Sequence, residues 1–329
     1  MKKTVFLLAF ILPVCALFAQ LPAPVIPLDG NISTVEQIGD DNEYNLTQDG
    51  TRNFAEVYTV GEGNAVSFVD QDGTWNTNTV TQMGDGNSVD VTQKNEYDPN
   101  PWNLNFSWIE QTGNDNTAEV YQSHQPLGAT DHLGPLVSYT HQSGDRNASV
   151  QKQKGLINLA IVAQAGNDGS ASQFQGTSEH VPDEYSYGAV AAIVQLPGAD
   201  FAVAEQHQVG AFNAAGIIQN SDESFAGQLQ ISDQDEHISN LLETPNVAGI
   251  IQDGSTSSGN EAYQVQYYDN VTDFGNWAGA YQNGGDNYSM QVQAGGQNAS
   301  GVIQVGDGNV SNVTQSHHGA SVPVNPWTP

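Results

Sequence analysis

Eight histidines, 37 acidic side chains and one cysteine are the residues of this chain best suited to chemistry. The histidines are His124, His132, His141, His180, His207, His237, His317 and His318. They follow no common spacing. The His317-His318 pair could help to hold a metal, but two histidines near a chain end are more simply read as solvated. No Gly-x-Ser-x-Gly elbow, phosphate-binding glycine loop, His-Glu-x-x-His or cysteine pair occurs. No catalytic, metal or cofactor residues are therefore assigned, and no enzyme is expected. The carboxylates do have a pattern. Asp40, Asp41, Asp85, Asp115, Asp145, Asp286 and Asp307 lie between a glycine and an asparagine. Turns of this kind, if stacked, bring carboxylates ~5–10 Å apart, a spacing open to calcium. The nine-residue Gly-Gly-x-Gly-x-Asp period of calcium β-rolls is absent. The other reading is a solvated face whose self-repulsion keeps the chain soluble.

The elements that carry these turns follow from composition and repetition. The chain has 329 residues, a net charge of −30, and only 13% charged residues. With 34 glycines and abundant Asn and Gln, it lacks the Leu-rich stripes that helices need. A disordered polar chain and a repetitive β structure with amides inside both fit such a composition. Residues 1–19 read as a secretory signal peptide: Lys2 and Lys3, an apolar run from Val5 to Leu12, then Ala16-Leu17-Phe18-Ala19. The run is too short to span a membrane. Cys15 lies within it, after Pro13 and Val14, which do not make a lipoprotein site. The mature chain then has no disulfide and retains five of its seven basic residues against 37 acidic ones. A nucleic-acid partner is not expected of such a surface, and no later segment spans a bilayer.

One template recurs: Gln, Gly two residues on, Asn five on, and Gln again eleven on. It runs through Gln37-Gly39-Asn42, Gln48-Gly50-Asn53, Gln71-Gly73-Asn76 and Gln82-Gly84-Asn87 to Gln93. It continues in Gln111-Gly113-Asn116 to Gln122, and in Gln142-Gly144-Asn147, Gln153-Gly155-Asn158 and Gln164. Asn213 and Gln219 follow Gln208, and the last copies are Gln282-Gly284-Asn287, Gln293-Gly295-Asn298 and Gln304-Gly306-Asn309, closing on Gln315. About 22 segments end on the Gln position, with Thr59 standing in once. Gln195 is followed by Pro197 and Asp200 before Gln206, with a two-residue slip after it.

From Asn to Gln the side chains alternate, as in Asn116, Ala118, Val120 and Gln122, with Glu119 on the other face. Period two means strand. The position two beyond Asn is often Ala or Ser, as in Ala55, Ala160, Ala202, Ala215 and Ser311. The Gly-x-x-Asn interval supplies residues that accept positive φ. A meander would set these strands side by side in one sheet. A solenoid would place them alternately in two facing sheets, so that identical amides pile up and hydrogen-bond along the axis. The solenoid is the reading that gives the fixed Gln and Asn a purpose. The expected fold is all-β: a two-sheet β-solenoid of about 11 coils of about 22 residues, ~50 Å long. Its expected extent is 34–315, after a Pro-rich segment 20–33 and before a tail 316–329. Insertions after Gln93, Gln122, Gln175, Gln230 and Gln266 fall between even and odd strands, so most loops should leave one edge. Smaller irregularities lie near Val69 and Ser255–Ser258.

The Gln-x-Gly-x-x-Asn-x-Ala-x-x-x-Gln pattern, seen whole from Gln111 to Gln122, resembles the curlin repeat of curli fibre subunits. The resemblance implies a secreted subunit that self-associates into extracellular amyloid fibres of the biofilm matrix and serves adhesion. It also implies a nucleator subunit and an outer-membrane secretion channel as partners. The mature start Gln20-Leu21-Pro22-Ala23-Pro24 differs from the Gly/Asn-rich start of such subunits. The alternative is a monomeric secreted adhesin, gripping a surface with aromatic loops such as Tyr97–Trp102 and Pro182–Tyr185 and capped by Pro-rich ends.

Overall fold

In the computed structural model the described residues are 30–95, 104–124, 134–176, 186–232, 246–254, 259–268 and 275–316. The loops Tyr97–Trp102 and Pro182–Tyr185, residues 1–29 and the His317-His318 pair lie outside them. The strands in chain order begin with β1 (Ile32–Ile38), β2 (Glu43–Thr51), β3 (Phe54–Val60), β4 (Ala65–Thr74), β5 (Asn76–Met83) and β6 (Ser88–Asn95). Next come β7 (Asn105–Thr112), β8 (Thr117–His124), β9 (Leu136–Ser143), β10 (Ala148–Leu156), β11 (Leu159–Gln164) and β12 (Ser170–Gln175). Then follow β13 (Ser186–Tyr187), β14 (Val190–Gln195), β15 (Val203–Ala211), β16 (Ala214–Asn220), β17 (Phe225–Ser232) and β18 (Val247–Asp253). The last are β19 (Glu261–Tyr268), β20 (Trp277–Asn283), β21 (Tyr288–Ala294), β22 (Ala299–Val305) and β23 (Val310–Ser316).

Successive repeat strands alternate between two parallel sheets. One has 11 strands in the order β1-β3-β5-β7-β9-β11-β14-β16-β18-β20-β22. The other runs β2-β4-β6-β8-β10-β12-β15-β17-β19-β21-β23, with the two-residue β13 beside β10 and β15 as its twelfth strand. Each strand pairs with the strand one coil away, so the fold is a β-solenoid. Register holds identical residues together, as in Gln93↔Gln122, Ala248↔Ala278 and Gly249↔Gly279. The irregularity near Val69 is a bulge: the pairing of β4 shifts between Val66 and Phe68. The first strand begins at Ile32, so the solenoid extends two residues ahead of the expected boundary at 34. Among the described residues no helix is long and apolar enough to cross a membrane.

The inner faces meet in a thin core. In the first half it contains Val57, Val80, Ile109, Val89, Val91 and Val120, with Ala55 and Ala118. In the second half Val162, Ile193, Ile217 and Ile250 face Ala171, Ala204, Ala226 and Ala262. Small alanines opposite isoleucines let the sheets approach at near-crystalline packing density. The chain leaves the described residues after β6, β8, β17 and β19 and resumes each time in the other sheet; after β12 it resumes in β13 of the same sheet, and the short gap after β18 passes in the opposite sense. A coil held together by its neighbours tolerates insertions at an edge, because loop closure costs little more as loops lengthen.

One assignment is corrected. The template puts Gln206 in the main glutamine column with a slip after it. The structure places Gln208 there, beside Gln175 and Gln230. The two extra residues sit ahead of β15, in the turn from Leu196 to Ala202, where the Ala199 N–H donates to the Leu196 carbonyl. Ala202 consequently takes the asparagine position, with its carbonyl accepting from Ser170 N–H, and Ala204 takes the inner alanine position.

Candidate functional site: the amide columns and the open ends

The side chains with a repeated polar role are the buried glutamines. In the even sheet Gln48, Gln71, Gln93, Gln122, Gln153, Gln175, Gln208, Gln230, Gln266, Gln293 and Gln315 form one column. Each Nε2 donates to the Oε1 of the next, at 2.7–3.0 Å. The odd sheet carries a second column: Gln82, Gln111, Gln142, Gln164, Gln195, Gln219, Gln252, Gln282 and Gln304, linked at 2.8–3.0 Å. Every donation runs toward the C-terminal end. The second amide proton reaches across to the facing sheet, as from Gln93 to the Thr77 carbonyl and from Gln142 to the Thr117 carbonyl. Each glutamine therefore ties two coils along the axis and two sheets across it. That satisfies donors whose burial alone would cost about 1–3 kcal/mol each.

The odd column has one break. Thr59 occupies the glutamine place between Gln37 and Gln82. Its Oγ1 and the Oε1 of Gln82 are buried with no hydrogen-bond partner. Gln37, in the first coil, is exposed.

The asparagines hold the turns. Asn53, Asn64, Asn87, Asn116 and Asn147 donate from Nδ2 to a glycine carbonyl of the next coil at 2.7–3.1 Å. Their Oδ1 atoms accept the backbone N–H at the equivalent place one coil on, as at Asn76, Asn116, Asn147 and Gly169. Asn42 donates to the Gly61 carbonyl, and Asn31, ahead of the first template copy, accepts from Asn53 N–H. The Asn158 Oδ1 accepts from Ala189 N–H, and the Asn213 Oδ1 accepts from Asn246 Nδ2. Asn287, Asn298 and Asn309 close the series, each with its N–H on the Oδ1 one coil back. Gly39, Gly50, Gly73, Gly84, Gly113, Gly144, Gly155, Gly284, Gly295 and Gly306 all have positive φ. The need is plain at Gly84, where a Cβ would run into the Gly113 carbonyl oxygen.

Two columns are not captured by the template. Gln151, Gln173, Gln206, Gln228, Gln264 and Gln291 form a third glutamine column two residues before the main one. Their Nε2 atoms also donate to the carbonyls of Tyr139, Ile161, Ala192, Gly216, Gly249 and Gly279 in the facing sheet. The doublets Gln151-Lys152-Gln153 and Gln173-Phe174-Gln175 are its sequence signal. The other column is in the turns. The Oδ1 atoms of Asp85, Asn114, Asp145, Asn167, Asp200 and Asp222 each accept a backbone N–H from the coil before. The Asp307 Oδ1 accepts likewise from Gly285 N–H. These acidic turns thus fasten coil to coil. Among the described residues no three or more His, Cys, Asp or Glu come together as a metal site.

Other titratable groups sit at the margins. Burial pushes the phenols of Tyr44, Tyr139 and Tyr263 up to about 12. His124, at the end of β8, is 3% exposed, and burial lowers its imidazole to about 4 against a raising backbone hydrogen bond at Leu104. Arg146 pairs with Asp168 in the next turn at 2.6 Å.

Among the described residues the columns stop at a sheet edge at both ends. β1 and β2 have one neighbour each, as do β22 and β23. Apolar side chains are exposed there: Ile303, Val305 and Val310 at one end, Ile32, Val35 and Ile38 at the other.

Two parallel sheets and one-residue-wide amide columns define a repetitive β-solenoid. The curlin associated repeat family matches residues 39–67 and 68–94, which are consecutive coils of this solenoid. Residues 39–94 are thus similar to curlin associated repeats, and the same register continues through the coils beyond those matches. No curated protein matches the chain.

Proposed function

We propose that this chain is a secreted structural subunit that stacks end to end into curli-type fibres. The observation that carries the reading is the phase match between its first and last coils. Asn31, Gln37, Asn42 and Gln48 recur at one constant offset as Asn298, Gln304, Asn309 and Gln315. A second copy laid on the C-terminal end in that phase brings Val302 over Val35 and Val313 over Leu46. The Gln304 and Gln315 amides then meet the acceptor oxygens of Gln37 and Gln48. The Asp40 carboxylate of the incoming copy meets the backbone N–H of Asp307, as Asp85 meets that of Glu62 within the chain. Unpaired strand edges are templates for this kind of addition.

Export through the inner membrane behind residues 1–19, service in a biofilm matrix or in surface adhesion, and help from a nucleator and an outer-membrane channel belong to the same reading. So does the division into a solenoid from Ile32 to Ser316 and a tail after it. Gly306 supplies the test. Within one chain, a Cβ at Gly306 approaches no closer than 3.9 Å to any group, the Asn309 Nδ2. In the stacked fibre it takes the place that Gly84 has against Gly113, facing Gly39 of the next copy. Gly306→Ala should fold, retain strand circular dichroism, and elongate seeded fibres at least ten-fold more slowly in thioflavin-T assays. Wild-type elongation by the variant overturns in-phase stacking, and a wild-type chain that stays monomeric under electron microscopy favours the adhesin reading.

A further inference from the structure

The outward faces of the two sheets differ. The even sheet presents Asp90, Glu119, Lys152, Glu205 and Glu261 along its length. The odd sheet presents Glu36, Glu56, Glu110 and His141 as far as β9, and from β11 to β22 a single charged residue, Asp253 at the end of β18, which accepts from Asn220 Nδ2. In its C-terminal part the outward residues stand in three columns. The central one is glycine: Gly216↔Gly249, Gly249↔Gly279 and Gly279↔Gly301 are register partners. One flank is the ridge Ile218, Ile251, Tyr281 and Ile303. The other runs through Val247 and Trp277. Ile218, Ile251, Trp277 and Tyr281 are half-exposed, Ile303 is 79% exposed, and Gly301 faces open space.

At Gly301 a Cβ would meet open space, Gly216 and Gly249 are buried beneath the flanking ridges, and the carbonyls of Gly216, Gly249 and Gly279 serve the third glutamine column whatever the side chain. Glycine inside a strand weakens it and marks a close approach by another backbone or ligand. Four in register make a trough between apolar ridges.

We propose that the three uncharged columns on β14 to β22 are a lateral docking surface for a second copy of the chain, so that fibres pair side by side through them. Charge selects the occupant. With a net charge of −30, two copies repel through most approaches. The three columns carry no carboxylate, and Asp253 lies one alternate position beyond the Ile251 ridge. Size selects the state. Five strands at ~4.8 Å by ~18 Å of outward width give roughly 400 Å² per copy, about 800 Å² per pair, below the ~1,000 Å² that a stable interface needs. Two free subunits therefore do not hold together by it. In a fibre the face recurs once per subunit, and the linked contacts act together. Lateral pairing is thus a property of fibres and not of monomers, and it rests on the end-to-end reading above.

The test uses one chain in two states. Ile251→Cys, in a Cys15→Ser background wherever residues 1–19 are retained, carries the only thiol. It is blocked as a mixed disulfide with glutathione, grown into fibres, and released with a reductant. Blocked fibres should be single in negative-stain images, with thioflavin-T growth within about two-fold of wild type. Reduced and wild-type fibres should be paired. The same blocked cysteine at Thr79, on the N-terminal half of that sheet, should leave pairing intact. Pairing that persists in the blocked Ile251→Cys fibres, or wild-type fibres that are always single, overturns the proposal. Reduced Ile251→Cys fibres that stay single yet bind insoluble polysaccharide, and lose that binding when blocked, overturn the proposal and give the face to a glycan instead. A wild-type chain that forms no fibres is a failure of the end-to-end reading, recognisable because no thioflavin-T growth occurs.

Discussion

A buried glutamine in the middle of a column has two jobs at once, so truncating one leaves two neighbours stranded. Gln122→Leu removes the acceptor of Gln93 and the donor to Gln153. With about 1–3 kcal/mol for each orphaned group, the monomer should lose about 2–4 kcal/mol in urea denaturation. Gln48→Leu, half-buried in the first coil, should cost under about 1 kcal/mol. The opposite change is available at Thr59. Thr59→Gln supplies a donor for the orphaned Gln82 oxygen and should stabilise the chain by about 1 kcal/mol. No gain in the urea midpoint would show that the site cannot take the longer side chain. His124 gives a pH signature. Its folded value of about 4 lies below its ordinary 6.5, so the unfolded chain takes up a proton first as pH falls. Stability is complete above that ordinary value and declines as pH drops through the window, at about 1.4 kcal/mol per unit and about 3 kcal/mol in all. His124→Leu should flatten that part of the pH–stability curve, and an unchanged slope would place the titration elsewhere.

At the scale of strands and turns, the architecture is legible wherever an element announces itself twice. Gly-x-x-Asn marks each tight turn by conformation, and the following alternation marks the strand by burial. Legibility fails where backbone replaces side chain. At the asparagine place the chain uses Gly169, Ala189, Ala202 and Ser224, because the carbonyl that accepts from the neighbouring coil belongs to every residue type. Nothing in those four letters signals the role, and the slip at Gln206 follows from that silence. The third glutamine column is different. Its doublets are visible in the sequence, but a template with one glutamine per strand treats the earlier member as filler. The asymmetry between the turns of one coil type and the open C-terminal turn has a measurable side. Gly84→Ala should destabilise the monomer by about 2–4 kcal/mol through positive φ and the clash with the Gly113 carbonyl. Gly306→Ala, with φ +95° but open space around it, should cost the monomer less than Gly84→Ala, and equal losses would contradict the vacant next layer.

For the whole molecule, charge and packing oppose each other. The described residues carry no lysine or arginine after Lys154, so the C-terminal half of the rod is purely acidic. Self-repulsion between copies should slow assembly at neutral pH. Fibre growth should therefore quicken several-fold as pH falls toward 4 or as salt rises to screening concentrations. Growth rates indifferent to both would remove repulsion as the brake. The acid dependence is bounded by His124, whose protonation loosens the subunit over the same range, so the gain should be larger with salt at pH 7 than with acid alone.

All the glutamine amides in the two main columns point the same way. Carboxamide dipoles aligned head to tail sum, like the peptide dipoles of a helix. The rod is thus an arrow, with partial negative charge at the N-terminal tip and partial positive charge at the C-terminal one. A filament built from such arrows cannot have equivalent tips. One should outpace the other in growth, and an applied electric field should turn it in a preferred sense.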